Sequence, residues 1–163
     1  MLPRIKIQFL NDQLGTVGES PDGLFALVCG AKAVTKTLEL GKAYTLQSLD
    51  SLEKLGVTKD NNPRLYKHVQ EFYTEAEEDT KLVIFPVDKA KTFTELCDKD
   101  SGAIKELIII TNGALRGIFV AGDGREATVT TNGLDNDLFT ALPKAQQLAE
   151  WATTTLYAPL FVI

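Results

Sequence analysis

Short apolar runs alternate with amphipathic stretches along the second half of the chain. The run Leu82–Val87, with the sequence LVIFPV, lies between the polar segment Glu75–Lys81 and a turn-like Pro-Val-Asp. Two similar runs, Gly117–Ala121 and Leu160–Ile163, follow it, and a helical pattern precedes each of them. Such runs are typical of strands buried on both faces. The order β-α-β-α-β predicts adjacent parallel strands joined by crossover helices, with the rest of the chain arranged around Leu82–Val87.

The first residues of the chain alternate strictly between apolar and polar side chains. In Arg4–Phe9, which we call the N-terminal arm, one side carries Ile5, Ile7 and Phe9, and the other side carries Arg4, Lys6 and Gln8. This alternation predicts a half-exposed strand. Residues 11–23 are rich in Gly, Asn, Asp and Pro and predict a connector. We therefore expect an extended arm and linker over residues 1–23 and a single α/β domain over residues 24–163.

Further strands and helices follow from apolar spacing and from residues that cap helices. Leu24–Gly30 predicts another buried strand, and Thr37–Leu46 predicts a weaker strand broken by Gly41. The Asn-Pro pair at 62–63 is typical of a helix start. The segment Gly102–Asn112 is ambiguous between helix and strand, and its i, i+3, i+4 spacing favours a helix. The predicted helices run over 49–55 after Thr45 or Ser48, from 62 to about 78, from Thr92 over a short span, over 102–112 and over 138–156.

Composition and charge exclude several classes of protein. The chain has 163 residues, of which 44% are hydrophobic and 24% charged, and these are ordinary values for a globular domain. The net charge of −5 and the absence of a basic cluster argue against binding nucleic acid or an anionic membrane. No apolar stretch approaches the roughly 18 residues of a membrane span. Two distant cysteines, Cys29 and Cys97, indicate reduced thiols and a cytoplasmic location.

Candidate chemistry is sparse, and we predict no catalytic residue, no metal site and no cofactor. His68, the only histidine, has no Cys, Ser or second His partner nearby in sequence, which predicts a surface or rim residue. Gly122–Arg125 follows a strand, where α/β proteins bind ligands, but it matches neither of the common phosphate-binding motifs. The acidic run Glu77–Asp79 lacks the spacing of a cation-binding loop and predicts a solvated helix end.

The order of these signals resembles the front part of contractile tail sheath proteins of bacteriophages and related injection systems. In those proteins an extended arm leads through a Gly-rich link to an apolar strand ending in Gly. RIKIQFL, GTVGESPDG and LFALVCGA resemble that series. YTLQSLDSLEKLG, NPRLYKHVQEFYTEAEEDTKLVIFPV and APLFVI resemble the segments that follow it. More narrowly, the opening resembles an uncharacterised sheath-like family of prophage elements in Bacteroides-type bacteria.

The resemblance implies a structural subunit and not an enzyme. It implies self-assembly through the N-terminal arm, a tail tube protein as a further partner, and a place in the sheath of a virion tail or an injection system after assembly in the bacterial cytoplasm. Sheath proteins are usually much longer, and their second half grips the inner tube. We therefore expect this chain to be the front part of a longer chain or a short relative, and tube binding is not carried over to its residues.

Two other classes of function remain open at this stage. One is a small nucleotide-binding or enzymatic α/β domain that uses the loop Gly122–Arg125. The other is a regulatory binding domain. A monomer that nucleotides stabilise against heat would favour the former, whereas assemblies that grow with concentration would favour the sheath-like subunit.

Overall fold

A computed structural model describes residues 23–76, 80–122, 130–131 and 133–163. The strands are β1 (Leu24–Ala31), β2 (Tyr44–Leu46), β3 (Leu82–Asp88), β4 (Leu115–Ala121), β5 (Thr130–Thr131), β6 (Leu134–Asp135) and β7 (Phe161–Val162). The helices are α1 (Leu49–Lys54), α2 (Pro63–Glu75), α3 (Phe93–Leu96), α4 (Ala103–Ile110) and α5 (Asn136–Thr155). The predicted mixed α/β class is confirmed. The predicted arm Arg4–Phe9 lies outside the described residues.

The main sheet has five strands in the order β2-β3-β1-β4-β7. All neighbours pair in parallel except β2, which runs antiparallel to β3. The three apolar runs of the second half are thus parallel members of one sheet, as predicted, but their predicted adjacency is wrong for the first two. β1 lies between β3 and β4, and it pairs with both over most of its length. The centre of the sheet is therefore Leu24–Ala31 and not Leu82–Val87.

Helices cover both faces of the sheet, so two apolar cores form. On one face, residues of α1 and α2 such as Leu52, Leu65 and Val69 pack on alternate strand residues. On the other face, α3, α4 and α5 contribute side chains such as Leu96, Leu107 and Leu148. The alternation of side chains across each strand divides the apolar residues between the two cores. This arrangement fits a doubly wound fold with helices on both faces.

The helices begin and end largely where capping chemistry predicts. Ser48 accepts a hydrogen bond from the Ser51 N–H at the start of α1, and Gly56 follows the helix at φ +74°. Thr92 and Glu95 form a reciprocal capping box at α3. α4 is a helix, as its spacing predicted. In α2, the described helix ends at Glu75 instead of near residue 78.

Other local predictions need correction. The predicted strand Thr37–Leu46 is reduced to β2 and an isolated bridge between Val34 and Leu38, because Gly41 at φ +75° turns the chain between them. The two short strands β5 and β6 pair antiparallel with each other and form a sheet separate from the main one. α5 begins two residues earlier than predicted, at Asn136, where Asp135 caps it.

The last strand, β7, differs from the prediction that Leu160–Ile163 is buried on both faces. Phe161 is 47% exposed and Ile163 is 67% exposed, because β7 lies at the end of the sheet and pairs only with β4 among the described strands.

Over the described residues, no helix combines the length and the apolar character that crossing a membrane requires.

Candidate functional site

The carboxyl ends of β1 and β4 meet where the connections of the sheet reverse direction. From β1 the chain returns to β3 on one side, and from β3 it crosses to β4 on the other side. In open α/β sheets, ligands usually bind at such a reversal. The buried Asn62, at the start of α2, lies here, and its amide clamps the backbone of Lys32. It accepts from the Lys32 N–H at 2.6 Å and donates to the Lys32 carbonyl at 3.0 Å. Asn62 thus holds α2 against the end of β1.

Gly122 is the part of the predicted loop Gly122–Arg125 that the structure describes. The Arg64 guanidinium donates to the Gly122 carbonyl at 3.2 Å. A Cβ atom on Gly122 would lie 2.8 Å from the ring of Phe93, so glycine allows α3 to approach the end of β4. Residues 123–125 lie outside the described residues. The described residues therefore place one glycine, Gly122, and one basic side chain, Arg64, at the point where the connections of the sheet reverse. These two residues are what the structure contributes to the hypothesis that the loop Gly122–Arg125 binds a ligand.

His68 lies on α2 at the rim of a shallow groove. Its Nδ1 lies 3.8 Å from the Glu71 carboxylate, and its side chain is 37% exposed. Within the described ranges, no group of three or more His, Cys, Asp or Glu side chains is placed to hold a metal ion. The acidic run Glu77–Asp79 lies outside those ranges.

A charge-assisted hydrogen bond between Asp98 and Lys144 ties the turn between α3 and α4 to α5. Asp98 accepts from the Lys144 ammonium at 2.8 Å and from the backbone N–H groups of Asp100 and Ser101 at 3.0 Å. The Lys144 ammonium, followed by these N–H groups, holds the pKa of the Asp98 carboxyl well below its usual range. Nearby, the Asp137 carboxylate accepts from the Phe93 N–H at 2.6 Å. Asp98 links the turn after α3 to α5, and Asp137 of α5 binds the start of α3. This geometry gives both carboxylates a structural role.

Both cysteines are buried, as expected for reduced structural thiols. Cys29 is fully buried in β1 and Cys97 is 3% exposed after α3. Burial raises the pKa of the Cys97 thiol to about 11, with a smaller contribution from the charge of Asp137. A thiol with so high a pKa is a poor nucleophile at neutral pH.

Several apolar side chains are exposed at the β7 end of the sheet. Phe161 and Ile163 of this end are exposed, and so are Phe119 on β4 and Leu142 on α5, the latter to 65%. The ring of Phe25 lies 6.2 Å from the rings of both Phe119 and Phe161, so an aromatic row crosses the open half of this face. Exposed apolar surfaces of this kind mark interaction sites in soluble proteins.

Two grooves flank β7, one on each face of the sheet. A groove of about 570 Å³ lies between α5 and β7, and we call it the α5 groove. It is lined mainly by Leu142, Ala145, Gln146, Ala149, Leu160 and Val162. A second groove, of about 380 Å³, lies on the α2 face and is lined by residues such as Phe72, Phe119 and Ile163. Neither groove was predicted from the sequence, because the wholly apolar run APLFVI is typical of a buried strand.

One side of the β7 backbone faces away from β4. Ile163 donates to the Ile118 carbonyl at 2.9 Å and accepts from the Val120 N–H at 2.8 Å. In a parallel ladder, successive residues point their N–H and C=O groups to opposite sides. The N–H and C=O of Val162 therefore point away from β4, toward the side of β7 on which the described residues place no further strand. β7 is thus an edge that another strand could join.

Residues 2–163 match the family described as "DUF2586, N-terminal domain". No curated protein and no solved structure matches the chain.

Proposed function

The chain belongs to the DUF2586 N-terminal domain family, whose description names no activity, and we propose that it is a structural assembly subunit resembling a contractile tail sheath protein. In this proposal the subunit has no catalytic role. It assembles with copies of itself into the sheath of a phage tail or an injection system, with a tail tube protein as a further partner. The observation that carries the proposal is the apolar β7 end of the sheet, beside which the described residues place no further strand.

Three features support a role in assembly. A sheet that ends on an exposed apolar edge invites pairing with another chain, and proteins that remain monomers usually cover or charge such an edge. Leu142 of α5, which is also exposed, lines the groove beside that edge. At the opposite end of the sequence, the N-terminal arm has the alternation expected of a segment that pairs with a sheet. One donor segment and one acceptor edge per subunit would propagate a head-to-tail assembly.

The test is light scattering of the purified chain after size exclusion, over a wide range of protein concentration. We expect the apparent mass to rise with concentration and large particles to appear at the upper end. Electron microscopy would then show rings or tubes. A monomer at every concentration would contradict the proposal.

A second candidate function is a small nucleotide-binding or enzymatic domain at the reversal point. The observation that favours it is the place of Gly122 and Arg64 at the carboxyl ends of β1 and β4. Thermal unfolding of the monomer in the presence of nucleotides distinguishes this candidate, since a ligand that binds the folded state raises the melting temperature.

A further inference from the structure

We propose that the groove on the α2 face binds a small carboxylic acid with an apolar body, and that Arg64 and His68 hold its carboxylate. The groove has a volume of about 380 Å³, which lies within the range of about 300–1,000 Å³ that is usual for small-molecule sites. The assembly role requires no such ligand, so this inference goes beyond the proposed function and does not rest on it. It also differs from the nucleotide candidate, because the ligand is apolar and carries no phosphate.

The floor of the groove is a part of the sheet that α2 leaves uncovered. Leu27 of β1 pairs with Phe119 of β4. Ile163 lies on the far side of Phe119, since it bonds to the two residues that flank Phe119, Ile118 and Val120. Leu27, Phe119 and Ile163 therefore form one row across three strands, and all three line the groove. Phe119 is 39% exposed, so an apolar ligand that covers this row removes apolar surface from water.

Aromatic rings close one end of the groove. The ring of Phe25 lies 6.2 Å from the rings of both Phe119 and Phe161. Between the strands of Phe25 and Phe161 lies Gly117, where a Cβ atom would be 2.7 Å from the Phe161 ring and 2.9 Å from the Phe25 ring. The two rings thus occupy the space above Gly117. Phe72 of α2 adds a further ring to the lining, so the apolar body of the ligand belongs at this end.

The opposite end of the groove, at the carboxyl end of β4, carries basic side chains. β4 ends at Ala121, which lines the groove, and the next residue, Gly122, accepts a hydrogen bond from the Arg64 guanidinium at 3.2 Å. His68 lines the groove as well, and it lies on the same face of α2 as Arg64 because the two are four residues apart. Guanidinium and imidazole N–H groups are donors that carboxylates bind through short, charge-assisted hydrogen bonds. The carboxylate of the ligand therefore belongs at this end.

Charge is what selects the class of ligand. Among the described residues that line the groove, His68 alone has a side chain that can carry charge. One acidic group lies nearby: the Glu71 carboxylate is 3.8 Å from Nδ1 of His68 and 3.6 Å from the Lys67 ammonium. The Glu71 side chain is 60% exposed, so water weakens its repulsion of a bound anion. The apolar lining alone would accept an alcohol or an amine as readily as an acid, whereas Arg64 and His68 favour the acid.

An NMR titration of the full chain with octanoate tests the site, at a protein concentration where the chain is monomeric. Octanol and octylamine serve as matched probes, because they share the apolar tail and differ in charge. We expect octanoate to shift the backbone amide signals of Val120, Ala121 and His68. Octanol should bind about tenfold more weakly, because it lacks the charge-assisted hydrogen bonds, and octylamine should bind no better than octanol. Equal affinity for the three probes would overturn the proposal.

Three variants of α2 test the recognition of charge. Arg64→Ala should weaken octanoate binding about tenfold and leave octanol binding unchanged. Glu71→Gln removes the nearby negative charge and should strengthen octanoate binding. Lys67→Ala is the matched control, since it removes a cation of the same helix that does not line the groove, and it should have a much smaller effect than Arg64→Ala. If Arg64→Ala and Lys67→Ala affect octanoate binding equally, Arg64 does not hold the carboxylate and the proposal is wrong.

A second pair of variants locates the ligand. Ala121→Leu fills the groove on the α2 face and should abolish octanoate binding, and Ala121 is only partly buried, so the fold can accommodate the larger side chain. Gln146→Leu adds a leucine to the α5 groove, on the other face of the sheet, and should leave octanoate binding unchanged. The opposite result would place the ligand in the α5 groove and overturn the assignment.

The outcomes are distinguishable from those of the assembly test. If octanoate binds as expected but the chain never assembles, the ligand site stands and the proposed function fails. If the amides of the groove shift with protein concentration in the absence of ligand, and millimolar octanoate shifts none of them at low concentration, this face is a contact between copies. In that case the ligand proposal is overturned and the assembly role stands.

Discussion

The Asp98 carboxylate links the turn after α3 to Lys144 of α5, and its ionisation is predicted to contribute to stability. Its folded-state pKa lies below the value of about 3.9 for unfolded chains, so the contribution is present above about pH 4 and is lost as the pH falls through the folded pKa. Asp98→Asn should therefore lower the melting temperature near neutral pH, and the difference from the unmodified chain should shrink progressively as the pH falls below about 4. Melting curves over this pH range provide the measurement. Asp60→Asn, at an exposed position, is the control and should behave like the unmodified chain. A deficit for Asp98→Asn that persists at low pH would contradict the role of the charge.

Replacing His68 is predicted to change the stability of the protein very little, because His68 lies at the rim of a groove. Its side chain is partly exposed and lines the groove on the α2 face. His68→Ala should cost no more than about 0.5 kcal/mol of the free energy of unfolding, as for surface substitutions in general. Leu65→Ala, at a position on the same helix that is 1% exposed, should cost about 2–5 kcal/mol. Urea unfolding of both variants measures the contrast, and a similar loss in each would mean that His68 contributes to the core.

Asn62 shows what sequence reasoning captures at the scale of one residue and what it misses. The Asn-Pro pair correctly predicted the start of α2. The side chain, however, makes no capping bond to its own helix and binds the Lys32 backbone instead. The capping rule is local and can be read from neighbours in the sequence. A hydrogen bond across thirty residues has no local pattern, so only the packed structure reveals it.

At the scale of elements, the sequence predicts which segments form strands better than it predicts the order of those strands in the sheet. LFALVCGA and LVIFPV are both apolar runs bounded by turn residues, and both are buried in the structure. The periodicity of a run does not indicate which strand it pairs with. The prediction therefore placed LVIFPV at the centre of the sheet, whereas the neighbouring strand LFALVCGA lies there. The ambiguous segment α4 was resolved correctly because its apolar residues are spaced at the helical period. Ile104, Leu107 and Ile108 are buried, whereas Ile109 and Ile110 are exposed.

The turn that leads into α4 requires a glycine, which gives a prediction for this element. A Cβ atom on Gly102 would lie 2.5 Å from the Leu96 carbonyl oxygen and closer still to that of Asp98. Because both obstacles are backbone atoms, the turn must shift, and Gly102→Ala should cost about 1–3 kcal/mol. Lys99→Ala, at an exposed position in the same turn, should stay within about 0.5 kcal/mol of the unmodified chain. Chemical denaturation of the two variants gives the comparison, and an equal stability would show that the turn accommodates a side chain.

At the scale of the whole molecule, the sequence predicted the mixed α/β class of the fold, but it did not predict the apolar β7 end. APLFVI carries only apolar residues, and such a run is expected between two neighbouring strands. Whether a second neighbour exists depends on the rest of the chain and on its partners. The exposure of Phe161 and Ile163 is therefore information that only the assembled sheet contains.

A thermal-shift screen of the full chain against divalent metals, ATP, GTP and NAD tests the predicted lack of a cofactor. We expect no shift at millimolar ligand, because the sequence has no ligand set with the spacing of a metal or nucleotide site. Arg64→Ala is the useful companion, since it removes the basic side chain next to Gly122. A shift of several degrees that disappears in Arg64→Ala would favour a nucleotide site at the reversal point.

Deleting residues 1–10 tests the assembly role of the arm directly. If the arm pairs with a neighbouring chain, the truncated protein should keep its fold and lose its oligomers, because the deleted residues carry the apolar side that requires a partner sheet. Melting must be measured at a concentration where the unmodified chain is monomeric, since loss of association alone lowers an apparent melting temperature.

A matched pair of triple variants separates the two sides of the arm. Replacing Ile5, Ile7 and Phe9 by serine should reproduce the deletion, whereas replacing Arg4, Lys6 and Gln8 by serine should preserve assembly and reduce only its dependence on salt. Light scattering provides the readout for both. A sharp fall in the melting temperature of the monomer, with association unchanged, would instead place the arm in the core of its own domain, because only a segment packed within the same chain stabilises that chain alone.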